Sequence, residues 1–326
     1  MTARVPVLLA GVSGAGAQDH QRRMWAPNLA AAGLDPVGVW IPQHATDDEI
    51  GRATRLSADL GVPLDQSASP TRPAQATVAC LRGDDRITLL RHAAETGMPV
   101  LLDKPTLDST QELERLVASV PDAHVLPGHH LAAHPAFVRL LAAVRGAEVG
   151  LLRAVFAELV VPSGDGLSPV GELRNLGVYL LDLVRALTGA GEIRLQAGGT
   201  PDGASWTLLG TGAHDVVVSA HVSRLPATAT DASGDASPLR AAVRVQGTHG
   251  SAMADLTRPA LTVRGSAGQR RVPYGENSVV ALLGRLASAA RGETATPPLS
   301  DLLALSRALD GVAHSAATRE PVEIAW

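Results

Sequence analysis

Short apolar runs and helical periods alternate through the first third of the chain. Residues 5–10 (VPVLLA) read as a buried strand, a glycine-rich turn follows, and a helical pattern runs on to about residue 32. Further strands are predicted at 36–41, 77–81, 99–102 and 124–127, with helices at 47–60, 86–96 and 109–119. Strand–helix alternation with connections this short implies a parallel sheet covered on both faces, doubly wound by right-handed crossovers. The rhythm changes near residue 150. The runs LLRAVFAELVV, SWTLLG, DVVVSAHVS and LRAAVRVQGT are separated by Gly, Asp and Ser turns, which predicts a mostly antiparallel open sheet. One strongly apolar helix, 171–187, lies inside this half, and two more, 278–291 and 299–317, follow. Residues 228–238 (TATDASGDASP) read as a polar loop. The pattern divides the chain into an α/β domain, 1–127, and an α+β domain, 128–326.

Composition narrows the function classes. With 326 residues, 45% hydrophobic and 18% charged, the chain can bury two cores and is not disordered. A formal net charge of −4 argues against nucleic acid or an anionic membrane as partner. No run reaches the roughly 18 apolar residues of a membrane span. The stretch from Val5 to Val12 is short for a signal peptide and already contains Gly11. The single cysteine, Cys80, allows neither an intrachain disulfide nor a cysteine-built zinc cluster, and a reducing cytoplasm is expected. Of the 28 basic residues one alone is a lysine, Lys104, so a chain that charges its surface with arginine has kept this residue for another purpose.

The first strand runs into Gly11-Val12-Ser13-Gly14-Ala15-Gly16, a G-x-G-x-x-G pattern with serine in the middle position. Glycine belongs there because the chain must turn tightly and let a pyrophosphate approach the backbone at a helix N-terminus. The strand–turn–helix context makes 1–127 a candidate Rossmann, dinucleotide-binding domain with Gly11, Ser13, Gly14 and Gly16 as cofactor residues. Such folds place Asp or Glu at the end of the second strand to hold the ribose 2′-hydroxyl. Here that position falls in Val39-Trp40-Ile41-Pro42-Gln43-His44. No carboxylate appears before Asp47 and no arginine stands ready for a 2′-phosphate, so NAD and NADP both stay open.

The strand at 99–102 ends in Asp103-Lys104-Pro105. With this element the chain resembles the glucose–fructose oxidoreductase/inositol dehydrogenase family (Gfo/Idh/MocA), which carries Asp/Glu-Lys-Pro at the sheet edge beside the nicotinamide. The likeness extends through Gly150 and the strand after it, through Val245-Gln246-Gly247-Thr248-His249-Gly250-Ser251, and to the closing helix and strand from Ser306 through Val322. It implies NAD(P), cofactor contacts from Asp103 and Lys104, and a sugar, cyclitol or related small polyhydroxy substrate. It also implies a homo-oligomer formed through the C-terminal sheet. A lysine ammonium at the mouth of a parallel sheet can hold a substrate hydroxyl and lower its pKa by proximity of charge.

The apolar helix GELRNLGVYLLDLVRALTG carries Asn175, Tyr179 and Asp182 at i, i+4 and i+7, one polar stripe on an α-helix. It is similar to the family pattern Asp-x-Gly-x-His-x-x-Asp, with Asn175 in place of the acid and Tyr179 in place of the histidine. An amide orients a hydroxyl but is no base. A phenol has an ordinary pKa near 10, which the Lys104 ammonium would lower if it lay beside it, and can then exchange a proton next to hydride transfer. Asp182 reads as structural. The segment Gly128-His129-His130-Leu131-Ala132-Ala133-His134-Pro135 borders the substrate pocket by the same likeness, which makes His130 a substrate residue. His130 and His134 are four apart, but Pro135 argues against a helix through them and no third ligand is near, so no metal is expected.

The expectation is therefore an NAD(P)-dependent oxidoreductase acting at a carbon–oxygen centre, with Lys104, Tyr179 and Asn175 catalytic and His130, Asn175 and Tyr179 on the substrate. Four departures from the family pattern motivate an alternative without redox chemistry, a binding or regulatory subunit or a repurposed enzyme. They are Ser13, Ile41, Asn175 and the run Cys80-Leu81-Arg82-Gly83-Asp84-Asp85, where the family has Thr-Pro-x-x-x-His.

Overall fold

β1 (Val5–Ala10) is buried at every position except Pro6, as a strand covered on both faces must be. The computed structural model describes residues 3–13, 19–104, 109–162, 169–189, 191–225, 240–257, 260–266, 268–273 and 277–325. In it β1 lies in a six-stranded parallel sheet with β2 (Leu34–Pro42), β3 (Leu64–Ser67), β4 (Ala76–Ala79), β5 (Val100–Leu102) and β6 (Val125–Pro127). The order β3-β2-β1-β4-β5-β6 reverses between β1 and β4, and in open α/β sheets ligands bind at the carboxyl ends of the strands flanking such a reversal. This is the doubly wound sheet the pattern predicts, with one strand added. β3, of sequence LDQS, sits at the sheet edge and buries too little to show as an apolar run.

Local chemistry sets the helix ends. α1 (Asp47–Leu60) starts in a capping box: Thr46 Oγ1 accepts from Glu49 N at 3.3 Å, and Glu49 Oε2 accepts from Thr46 N at 2.9 Å. It stops at Gly61, whose φ of 66° is the left-handed cap. α2 (Asp85–Thr96) stops the same way at Gly97, and Ser109 caps α3 (Thr110–Ser119). The single helix expected up to residue 32 is not formed. A π turn over Gln21–Trp25 is followed by 3-10 turns at Ala26–Asn28 and Ala30–Ala32. Pro27 has no N–H to continue an α-helical ladder, which explains the break.

The chain forms two compact units. The first takes residues 1–130 together with 279–303, and the second takes 131–278 and 304–326. The return of 279–303 was not legible from pattern. It is fixed by hydrogen bonds from Leu299 N to Ala123 O (2.8 Å) and from Val125 N to Pro297 O (2.9 Å), and by Leu299 and Leu302 joining the core with Leu89, Leu113 and Leu116.

The second unit opens with α4 (Pro135–Arg145) and β7 (Leu152–Pro162), then α5 (Pro169–Glu172), a π turn at Leu173–Gly177 and α6 (Val178–Thr188). β8 (Glu192–Gly199), β9 (Ser205–Thr211), β10 (Val217–Leu225), β11 (Arg240–Gly247), β12 (Gly250–Asp255), β13 (Ala260–Gly265) and β14 (Gly268–Pro273) follow. α7 (Ser278–Ala290), α8 (Asp301–Thr318) and β15 (Val322–Ala325) complete the chain. The nine strands are ordered β14-β13-β12-β11-β7-β10-β9-β8-β15, antiparallel except for the parallel pair β7–β10. Alternate residues turn inward, such as Ile193, Leu195 and Ala197 of β8, and meet Leu140, Val184 and Leu309 from the helices. Among the described residues no helix is long and apolar enough to cross a membrane.

Two ion pairs secure the helical segment, one just before the second π turn and one from within it. Glu172 accepts from Arg224 Nε at 2.8 Å with both side chains buried. Arg174 donates to Ser306 Oγ at 3.2 Å and pairs with Asp310. A hydrogen bond to a charged group is worth about 1.5–3 kcal/mol, so Glu172→Ala is expected to lower stability by about that amount in chemical denaturation. A change indistinguishable from zero would show that the pair does not hold this segment.

Candidate functional site

The turn after β1 lies between its two neighbouring strands. Gly11 has φ +75°, its N–H donates to Trp40 O at 2.7 Å, and a Cβ added there would stand 2.4 Å from Cys80 O. Glycine is therefore obligatory on two counts, backbone conformation and clearance. Ser13 N donates to Cys80 O at 2.9 Å, and its hydroxyl donates to Glu49 Oε1 at 2.5 Å. That bond directs the serine side chain to the first turn of α1. Gly14 and Gly16 lie outside the described residues.

Glu49 was not among the residues singled out from sequence, although Thr46-x-x-Glu49 is a recognisable capping signature. Burial opposes its ionisation, but hydrogen bonds from Ser13 and Thr46 and the nearby Arg52 charge outweigh this and hold its pKa below the ordinary carboxylate value. A carboxylate from the helix following β2 therefore stands against the β1 turn.

At the end of β5, Asp103 is 3% exposed and Lys104 8%. Asp103 N donates to Ala79 O at 2.8 Å, which fixes this backbone to the end of β4. The Asp103 carboxylate accepts at both oxygens, from His20 Nδ1 at 2.7 Å and Trp25 Nε1 at 3.0 Å. The cofactor contact expected of Asp103 is in this structure replaced by contacts within the protein. Gln21, fully buried, donates to Val78 O at 2.8 Å, and Cys80 Sγ lies 3.5 Å from its Oε1. Burial first, then the Asp103 charge, pushes the Cys80 thiol well above its usual pKa, so it is a packed core group and not a nucleophile. Gly128 completes the rim: a Cβ there would lie 3.0 Å from Asp103 Cα and from Leu102 O. His20 and Trp25 escaped sequence reasoning because they meet Asp103 only across the sheet.

These residues fit a dinucleotide. The strand order reverses where the turn sits, Gly11 lets the chain pass close to its neighbours, and a carboxylate held ionised stands against the turn.

In the second unit Asn175 is 2% and Tyr179 4% exposed, while Asp182 is half-buried. The stripe expected from α-helical spacing is altered, because Asn175 belongs to the π turn and Tyr179 to α6. A π turn inserts an extra residue, so the 3.6-residue phase does not run through it, and such turns are frequent at functional sites. His130 is half-buried on a 3-10 turn at His130–Ala133. His134, 2% exposed, is the N-cap of α4, its Nδ1 accepting from Ala136 N at 3.1 Å. Among the described residues no group of three or more His, Cys, Asp or Glu could hold a metal.

No family model matches the sequence, and no curated protein does. Solved structures do. UDP-N-acetylglucosamine 3-dehydrogenase from Acidithiobacillus ferrooxidans superposes with a TM-score of 0.75 at 18% identity, covering 98% of this chain and 100% of that one. An oxidoreductase from Agrobacterium radiobacter, solved with NAD+, L-tartaric acid and magnesium, gives 0.73 at 14% identity over 98% of each chain. An oxidoreductase domain protein from Kribbella flavida gives 0.73 at 18% identity over 100% of both chains. At these identities the likeness establishes the fold, and it is the fold that the Asp-Lys-Pro resemblance implies.

Burial lowers the His134 pKa, against a smaller opposing pull from Asp255. The cap also needs an unprotonated Nδ1. The His134 contribution is therefore complete above its unfolded pKa near 6.5 and declines as pH falls below it. Replacing His134 by Asn, an equally good cap, is expected to flatten the pH dependence of unfolding between about pH 5 and 7, while His134→Ala costs about 1 kcal/mol at pH 8. Identical pH profiles for wild type and the Asn variant would refute this role.

Proposed function

We propose that this chain is an NAD(P)-dependent oxidoreductase that interconverts an alcohol and a carbonyl on a small polyhydroxy compound, sugar- or cyclitol-like. The observation that carries this reading is the placement of the chain's sole lysine. Lys104 is buried at the carboxyl end of β5, directly after a carboxylate clamped by His20 and Trp25, in a sheet of order β3-β2-β1-β4-β5-β6. Burying an ammonium is costly, and a sheet rim that does so has a use for the charge. The fold shared with a UDP-N-acetylglucosamine 3-dehydrogenase and with an oxidoreductase solved with NAD+ supports the same reading.

A bound nicotinamide would supply the hydride acceptor or donor. The turn from Gly11 through Gly16 would hold the pyrophosphate, and Asp103 anchors the rim from which Lys104 would polarise the reacting oxygen. Tyr179 exchanges the hydroxyl proton, and Asn175 and His130 orient neighbouring hydroxyls. Titration with NADH and NADPH, followed by fluorescence and melting temperature, is expected to show binding. With a turned-over substrate, Lys104→Met is expected to lower kcat by about 10²–10⁴ while cofactor binding persists. Tyr179→Phe should fall in the same range. Full turnover by either variant would remove that residue from the mechanism. Absence of binding to either nucleotide would favour the non-redox alternative.

The nine-stranded sheet supports a homo-oligomer. Its pairing registers align Leu209, Ser219, Phe156, Arg244 and Met253 in one row across five strands. Leu209 is 60% and Met253 40% exposed, and Arg244 stacks on the Phe156 ring at 4.4 Å. Large apolar side chains exposed on a sheet face, here Leu209 and Met253 with Phe156 between them, favour association with a second copy. Leu209→Asp is expected to reduce the mass measured by light scattering to that of a monomer; an unchanged mass would place the interface elsewhere. A cytoplasmic setting accords with the one cysteine, buried and reduced.

A further inference from the structure

We propose that Glu49 sets the dinucleotide preference of the first unit, accepting a ribose with a free 2′-hydroxyl and turning away one that carries a 2′-phosphate. The inference rests on the dinucleotide reading above and deepens it.

Glu49 stands in the first turn of α1 but reaches the turn after β1. Oε1 accepts from Ser13 Oγ at 2.5 Å, and Oε2 accepts from Thr46 N and Thr46 Oγ1, each at 2.9 Å. The carboxylate thus bridges the β1 turn and the β2–α1 loop, the corner where dinucleotide folds hold the adenosine ribose. A carboxylate offers about four acceptor sites, so these three donors leave capacity for a ribose hydroxyl. It stays anionic for the reasons given, with its pKa below the ordinary range.

The nearby cation does not reverse the sign. Arg52 Nη2 pairs with Asp48 at 2.8 Å and its Nη1 donates to Val12 O at 3.1 Å, so its guanidinium is engaged along α1 and the turn. Asp85, the first residue of α2, is a second carboxylate within electrostatic reach of Glu49. Asp85 pairs with His44 at 3.2 Å, yet its pKa is raised, by burial first and then by Glu49 and Asp84, with His44 opposing. A 2′-phosphate carries close to two negative charges and would enter this field against repulsion.

Calorimetric titration of the full chain with NADH and NADPH tests the idea. Wild type is expected to bind NADH at least about tenfold more tightly, a preference that shrinks as ionic strength rises from about 0.02 to 0.5 M because the discrimination is between charges. Glu49→Gln should narrow the ratio by about tenfold, chiefly by strengthening NADPH. Asp85→Asn, which leaves the α1 cap intact, should narrow it less but in the same direction. Equal or tighter binding of NADPH by wild type overturns the inference while leaving the oxidoreductase reading intact. So does a ratio that neither variant nor salt moves. Binding of neither nucleotide overturns both.

Discussion

The carboxylate of Asp103 is withdrawn from water at the end of β5 and accepts from two side chains 83 and 78 positions earlier in the chain, His20 and Trp25. An ionised carboxylate buried without partners costs several kcal/mol, and hydrogen bonds to a charged group are worth about 1.5–3 kcal/mol each. Two such donors bring the group back into balance, provided both arrive at the same place. That condition links three features: the order of β1, β4 and β5, the winding of the segment after β1, and the backbone position of Lys104. If the segment from Gln21 ran as a regular α-helix, its side chains would follow a different phase. The π turn is the conformation found where the indole and imidazole both reach the carboxylate.

The same reasoning separates what the sequence disclosed from what it withheld. Apolar runs gave β1, β4 and β5, because strands buried on both faces leave no polar alternation. The limits of α1 at 47–60 were exact, because a capping box and a left-handed glycine are written locally at its ends. Lys104 stood out by being alone. β3 went unseen because an edge strand buries little, and α4 because its start hides behind a histidine that caps it. His20, Trp25 and Glu49 were illegible as site residues, since each acquires its role from a partner between 36 and 83 positions away. Pattern reads what is periodic or adjacent, whereas a clamp across a sheet is neither.

A carboxylate at the end of β2 is the usual sign of ribose recognition, and its absence suggested a weakened cofactor site. What the structure places against the β1 turn instead is Glu49, from the helix that follows β2. Ser13 occupies the middle position of the glycine pattern, and its hydroxyl needs an acceptor. Glu49 provides one while also capping its own helix, so serine and glutamate are explained together. A glycine at position 13 would leave Glu49 with one donor fewer. The two departures from the family pattern are therefore one coupled arrangement and not two separate defects.

Each unit contains a π turn, and in each a charged side chain bonds to a residue in or next to it. Wide turns have poorer backbone hydrogen bonds than an α-helix, so side-chain contacts must hold them. In the first unit Asp103 does this through His20 and Trp25; in the second, Glu172–Arg224 and Arg174 with Ser306 and Asp310 do it. The charged residues nearest the candidate sites thus act largely as clamps. On the proposed function the residues that meet a ligand are the fewer groups beside these clamps: Lys104 in the first unit, Asn175 and Tyr179 in the second. A substitution in a clamp should accordingly disturb stability and geometry together. Asn175 and Tyr179 are themselves 2% and 4% exposed, so truncating them also costs packing, and only a change such as Tyr179→Phe, which keeps the ring and removes the hydroxyl, separates holding a site from performing its reaction.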